Sequence, residues 1–195
     1  YEGIKTASNE WARAQLYTTM GNNPIFLDSL SSLYDRETNQ TAKTYCLDAI
    51  CSNLIRFKDY YKTKMQADFN NLEKRVFEMA IGGINSDDGF MVYTAASQLQ
   101  NDGYDNELIG ALNFNELLKK WDLPIFYETH LELQKLKMKV ENKSTAGYKL
   151  PMPFNNPIDW DFVKTIAPKQ ELLISTAKGD IVIELDIENA PATVG

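Results

Sequence analysis

His130 is the only histidine in this chain, and Cys46 and Cys51 are its only cysteines. One imidazole excludes a His-pair zinc site or a Cys-His-His cluster within these residues. His130 shares a stripe with Phe126 and Leu133, with Glu128 and Glu132 on other faces. That setting predicts a half-buried, hydrogen-bonded histidine. The two cysteines lie five apart in a segment read as helix, roughly 7.5 Å apart along the axis, and they point in different directions. A mutual disulfide does not fit that spacing; two core thiols do, because a free cysteine packs as a small hydrophobe. The redox compartment stays open.

Other constellations dissolve on inspection. Asn101-Asp102-Gly103-Tyr104-Asp105-Asn106-Glu107 has the composition of a calcium loop. It lacks the alternating oxygen ligands and the terminal bidentate Glu of such a loop, and reads instead as turn and helix-cap chemistry. No serine sits in a Gly-x-Ser-x-Gly elbow, and neither cysteine has a base partner in view. Gly82-Gly83 follows a helix rather than a strand, unlike a phosphate-binding loop. The sequence therefore assigns no catalytic, cofactor-binding or metal-ligating residue. Trp11, Trp121 and Trp160, with ten tyrosines, fall at helix ends and core positions. They suit either a peptide groove or interhelical packing.

The elements that carry these residues are helical from Asn9 to Glu141. Ala42, Tyr45, Cys46, Ala49, Ile50, Leu54 and Phe57 trace one apolar face of a 3.6-residue period, which strand alternation cannot produce. Met65, Phe69, Leu72, Val76, Met79 and Ala80 trace a second; Val92, Ala95, Ala96 and Leu99 a third. A fourth runs through Phe126, His130, Leu133, Leu136 or Lys137, and Val140. Gly21-Asn22-Asn23 closes the first helix, with Asn23 as the next cap and Pro24 at the first position, where a missing N–H costs nothing. Gly82-Gly83 reads as a terminator, and Ser86-Asp87-Asp88 as a cap with an acidic first turn. Asp122 and Pro124 take the same parts before the last helix.

The expected helices span 9–20, 24–35, 40–57, 60–81, 87–100, 105–121 and 124–141. Short turns between them imply antiparallel hairpins. The hairpins start near 9, 40, 87 and 124, an irregular period of 31 to 47 residues. That range suits a HEAT-like α-solenoid, in which each unit buries one face against the next. An irregular helical bundle is the competing architecture, since the units barely resemble one another.

Residues 142–168 read as a linker. Gly147, Pro151, Pro153 and Pro157 remove donors and fix φ, and Asp159 caps one short helical turn through Val163. From residue 169 the period changes from 3.6 to 2. Residues 171–176 and 180–185 are rich in β-branched side chains, and Ala177-Lys178-Gly179 forms the turn between them. A hairpin standing alone is marginal in water. An ordered one calls for support from the helices or from a second chain by strand addition.

The 27 Asp and Glu outnumber the 20 Lys and Arg, a net charge of −7, and no basic cluster offsets it. Nucleic acid is thus not expected as a partner. Apolar residues make up 44% and charged residues 24%, an ordinary globular composition. No run approaches the roughly 20 apolar residues of a membrane span. The chain begins at Tyr1 without an initiator Met and stops at Gly195 without a cap or polar tail, so it reads as part of a longer protein.

One stretch carries a resemblance. Leu173 to Leu185, followed by Glu188-Asn189-Ala190-Pro191-Ala192-Thr193-Val194, resembles the opening of a bacterial cyclophilin. That family begins with a strand, a Gly-containing turn, a second strand ending near Glu-Leu, and an Ala-Pro-x-Thr-Val segment leading into its first helix. The likeness covers residues 171–194, about one eighth of the chain. It implies a truncated cyclophilin-like β-barrel at 169–195 and a parent protein with peptidyl-prolyl cis–trans isomerase activity. The matched positions are structural. The family's catalytic Arg and proline pocket come from later strands, so residues 1–195 are expected to be inactive alone. Joined to residues 1–141, the resemblance implies a non-catalytic helical-repeat module that binds polypeptide clients or docks partner proteins on its helical surface. No cofactor is implied, the hairpin offers an edge for self-association, and the bacterial cell envelope is the expected compartment. The competing reading is a structural or interaction protein with no isomerase.

Overall fold

The computed structural model describes residues 9–101, 104, 106–151 and 158–189, without the side chain of Ala67. The chain divides into two units, Tyr1–Pro151 and Met152–Gly195. Among the described residues the first is helical, and the second holds one helical turn and a two-stranded antiparallel sheet.

The first unit opens with α1, Glu10–Met20, capped by the Asn9 side chain, which accepts from the Ala12 amide at 2.9 Å. Gly21 ends it, and Asn23 accepts from the Ile25 amide over a single 3₁₀ turn, Pro24–Phe26. Helix α2, Leu27–Arg36, continues from that turn, and α3, Gln40–Arg56, starts from the cap Asn39. The expected helix at 60–81 is two helices. Lys58–Met65 (α4) and Phe69–Ile84 (α5) are separated by the 3₁₀ turn Gln66–Asp68, where Gln66 has φ 41°. Gly82-Gly83 does not terminate α5, which runs on to Ile84. A Cβ on Gly83 would lie 2.9 Å from both Ala95 Cβ and Leu47 Cδ2, so this glycine serves close packing inside the helix.

Helix α6, Gly89–Leu99, begins where Asp88 accepts from the Met91 amide at 2.8 Å. The expected helix at 105–121 is also divided, into α7, Asn106–Gly110, and α8, Phe114–Lys120, the latter capped by Asn113. Helix α9, Tyr127–Val140, starts later than expected, and Asp122 does not cap it. That carboxylate accepts from the adjacent Leu123 amide, and the Leu123–Pro124 bond is cis. In the 101–107 segment, Asp102, Gly103 and Asp105 lie outside the described residues.

Helix α3 is the centre of the unit. Ala42, Cys46, Leu47, Ile50 and Cys51 are all fully buried, more sides of the helix than one stripe predicts. It packs against α1, α2, α5 and α6, and α6 packs in turn on α5 and α9. The helices α1, α3, α6 and α9 thus form a sequence in which each touches the next. No described helix is long and apolar enough to cross a membrane.

Buried polar groups fix the corners. Asn53 on α3 donates to the carbonyls of Gly21 (2.8 Å) and Asn23 (3.0 Å) and accepts from the Tyr61 hydroxyl, which also bonds the Pro24 carbonyl. Glu37 accepts from Arg13 Nε (2.9 Å), the Tyr17 hydroxyl (2.7 Å) and the Asn39 amide (3.0 Å). Burial alone would raise its pKa, but the hydrogen bonds from Tyr17 and Arg13 outweigh it and hold the carboxyl below its ordinary value.

In the second unit, Asp159 accepts from the Phe162 amide and caps the expected turn, α10, Trp160–Val163. Strands β1, Glu171–Thr176, and β2, Gly179–Glu184, pair with Leu172 opposite Ile183 and Ile174 opposite Ile181. The second strand starts one residue earlier than expected because Gly179, at φ 129°, pairs with Thr176. Every residue of both strands is exposed, so the hairpin covers neither of its own faces. Pro153 and Pro157 of the linker, and Ala190–Val194 of the cyclophilin resemblance, lie outside the described residues.

Candidate functional site

The residues with the chemical versatility to act as metal ligands or nucleophiles are locked into packing. The Cys46 thiol donates to the Leu30 carbonyl at 3.4 Å, Cys51 is fully buried, and both are free. Burial pushes the pKa of both thiols well above the ordinary value, which removes thiolate character at neutral pH. His130 is half-buried, with Nδ1 3.0 Å from the Trp121 carbonyl oxygen, as its position on the α9 stripe predicts. No group of three metal-ligating side chains gathers among the described residues.

What the helices do bring together is aromatic. Trp11 on α1 meets Tyr45 on α3 edge-on, with ring centroids 6.4 Å apart. Tyr45 meets Phe90 on α6 at 5.6 Å, and Phe90 stacks with Tyr93, one turn further along α6, at 6.4 Å and 17° between planes. These rings are not core. Trp11 is 62% exposed and Phe90 43%, while Tyr45 and Tyr93 are half-buried. Tyr45, read from the sequence as part of the buried stripe of α3, is only half-buried, its ring in contact with Trp11 of α1 and Phe90 of α6.

The row ends in a cleft of about 460 Å³ between α6 and the start of α9, lined by Phe90, Tyr93, Ile125, Phe126, Glu128 and Thr129, with Gly89 at its base. Ile125 is 81% exposed. Two contacts fix the cleft's width. The Thr129 hydroxyl donates to the Gly89 carbonyl at 3.0 Å, tying α9 to the start of α6. Behind Gly89 the buried Trp121 ring meets Phe126 edge-on at 4.9 Å. A Cβ on Gly89 would come within 3.2 Å of Trp121 Cζ3 and 3.5 Å of Phe126 Cδ1, so glycine lets the three elements close up.

The cleft is electrostatically simple. Glu128 is its only ionisable lining residue other than Tyr93. Glu128 is exposed and makes no ion pair or hydrogen bond among the described residues. The nearby Lys120, 5.0 Å from the Trp121 ring centroid, is held by Asp87 at 2.6 Å and by the Ser86 carbonyl. Of the three tryptophans singled out by the sequence, then, Trp11 belongs to the exposed row, Trp121 packs behind the cleft, and Trp160 is exposed on α10 in the second unit.

This exposed strip of rings ends in a cleft whose lining is mainly apolar. It can bind apolar and π-active groups, and Glu128 can attract a cation. Comparison of the chain with protein-family models, curated proteins and solved structures found no match.

Proposed function

We propose that the helical unit is a non-catalytic module that holds polypeptide, a client or a docking partner, along the aromatic row, and that it serves a parent peptidyl-prolyl isomerase of the cyclophilin type. The observation that carries the binding reading is the continuous row Trp11–Tyr45–Phe90–Tyr93, drawn from three helices far apart in sequence, with Trp11 and Phe90 exposed and Tyr45 and Tyr93 half-buried. Large rings in mutual contact at the surface are expensive to leave in water, and contiguous exposed apolar patches commonly mark interaction sites. The spacing adds to this. Successive centroids lie 5.6–6.4 Å apart, close to the roughly 6.6 Å between same-side residues of an extended chain. A HEAT-like arrangement of the unit is supported by the succession of α1, α3, α6 and α9, each the first helix of an expected hairpin and each packed on the next.

The isomerase part of the reading rests on the residues of 171–194 that resemble a cyclophilin opening. The exposure of Leu172, Leu173, Ile174, Ile181, Val182 and Ile183 supports it indirectly, since strands apolar on both faces belong in a larger sheet. The same exposure favours a second role for the hairpin, strand pairing between copies of the chain. Deleting 169–195 should then abolish any concentration-dependent dimer seen by sedimentation.

The binding reading is tested with unstructured 12-residue peptides carrying apolar residues at alternate positions. Their fluorescence anisotropy should rise with added protein, and Phe90→Ala or Tyr45→Ala should weaken the binding at least about tenfold, the usual cost of an aromatic anchor. Equal binding by these variants would place the interaction elsewhere. In a proline-peptide assay residues 1–195 should give no turnover; cyclosporin-sensitive turnover would overturn the assignment of every matched position as structural.

A further inference from the structure

The cleft at the end of the aromatic row differs from the row itself in one respect: it carries a charge. Glu128 stands among Phe90, Tyr93, Ile125 and Phe126 with its carboxylate unengaged among the described residues. The neighbouring cation, Lys120, is committed to Asp87 and the Ser86 carbonyl. A carboxylate that shares a cleft lining with three aromatic rings is an environment that favours a guanidinium or ammonium group, by ion pairing to the carboxylate and cation–π attraction to the rings. The volume, about 460 Å³, lies within the range of pockets that enclose small groups.

The structure points to a specific occupant: we infer that the cleft takes an arginine or lysine side chain of the polypeptide lying on the aromatic row. This rests on the proposed binding function and sharpens it from apolar segments in general to apolar segments with a basic residue at one end. Three observations select a basic polypeptide over an acidic or neutral one. Glu128 supplies the only fixed charge in the cleft lining. The whole chain carries a net charge of −7, which draws cationic partners and repels anionic ones. The cleft is also continuous with the row through Phe90 and Tyr93, which belong to both, so a segment extended along the rings delivers its next side chain to Glu128. Arginine suits the site better than lysine, because its planar group stacks on a ring while bonding a carboxylate in its own plane.

The test uses the full chain and three otherwise identical 12-residue peptides, apolar at alternate positions, with arginine, norleucine or glutamate at one end. The arginine peptide should bind about tenfold more tightly than the norleucine peptide, and the glutamate peptide more weakly than either. Glu128→Gln should reduce the arginine advantage over norleucine to about twofold or less, and Glu128→Lys should reverse the preference. Glu128 is exposed, so neither variant threatens folding, and unchanged thermal unfolding confirms that. Equal affinity for arginine and norleucine peptides would overturn this inference and leave the binding function standing. Binding of none of the three would overturn both. An arginine preference that survives Glu128→Gln would contradict the assignment of the cation to this cleft.

Discussion

Helix α3 and the β1–β2 hairpin are both rich in apolar residues, and they treat them in opposite ways. On α3, Ala42, Cys46, Leu47, Ile50 and Cys51 have no exposure at all, because α1, α2, α5 and α6 surround the helix. On the hairpin, Leu172, Leu173, Ile174, Ile181, Val182 and Ile183 are each more than 40% exposed, although the backbone pairing is complete and in register. Backbone hydrogen bonds alone therefore define the hairpin, while side-chain burial defines the helical unit. Net stability follows burial more than hydrogen bonding, whose contribution is partly cancelled by the bonds water would make.

The strongest way to break that contrast is at Ile50. Replacing it with Asp puts an unpaired charge where exposure is 0%, and should cost roughly 4 kcal/mol or more. Loss of helical circular dichroism or a large drop in melting temperature would follow; an unchanged melt would refute the placing of Ile50 at the centre. A polar counterpart comes next. Asn53→Ala removes the donors to the Gly21 and Asn23 carbonyls and the partner of Tyr61, and should destabilise by about 2–3 kcal/mol in a denaturant titration.

The Glu37 corner sharpens the comparison through pH. Because its folded carboxyl titrates below its ordinary value of 4.5, its stabilising effect is complete above that value and is lost as pH falls through the lower folded value. The melting temperature of Glu37→Gln should thus lie below that of the wild type at neutral pH, and the gap should narrow as the solution is acidified below pH 4.5. A gap that widened on acidification would reverse the sign and contradict the assigned hydrogen bonds. The smallest effect belongs to the hairpin. Ile183→Thr, at a 41% exposed site, should change unfolding by no more than about 0.5 kcal/mol. In hydrogen exchange, the amides of 172–184 should exchange far faster than those of α3.

How much of this was legible in the sequence depends on what each residue had to signal. The α3 stripe was readable because burial repeats every 3.6 residues, and Asn23, Asp88 and Asp159 announced their helices through cap chemistry. The break at Gln66 was not, since glutamine is no turn residue and the apolar period from Met65 through Phe69 and Leu72 continues across it. Gly83 misled for a physical reason: glycine ends helices, but it also admits a close neighbour, here Ala95 and Leu47. The division of 105–121 did have a signal in Asn113, which caps α8 as Asn23 and Asn39 cap their own segments.

The candidate site was the least legible part. Its rings come from positions 11, 45, 90, 93 and 126, and periodicity within one helix says which face is apolar without saying which helix will lie alongside. Tyr45 and Phe126 looked like core residues, and only the packing of α1, α3, α6 and α9 shows them at the edge of it. Trp11 and Phe90 offered a faint clue, as aromatic residues lying off the buried stripes.

Amide chemical-shift mapping of the arginine-ended peptide on isotopically labelled protein tests the central claim most directly. The account predicts that the perturbed resonances fall on Trp11, Tyr45, Phe90, Tyr93 and the Ile125–Thr129 segment, with the hairpin amides of 171–184 unmoved. Perturbations confined to the hairpin, or absent from the helices bearing the aromatic row, would contradict it.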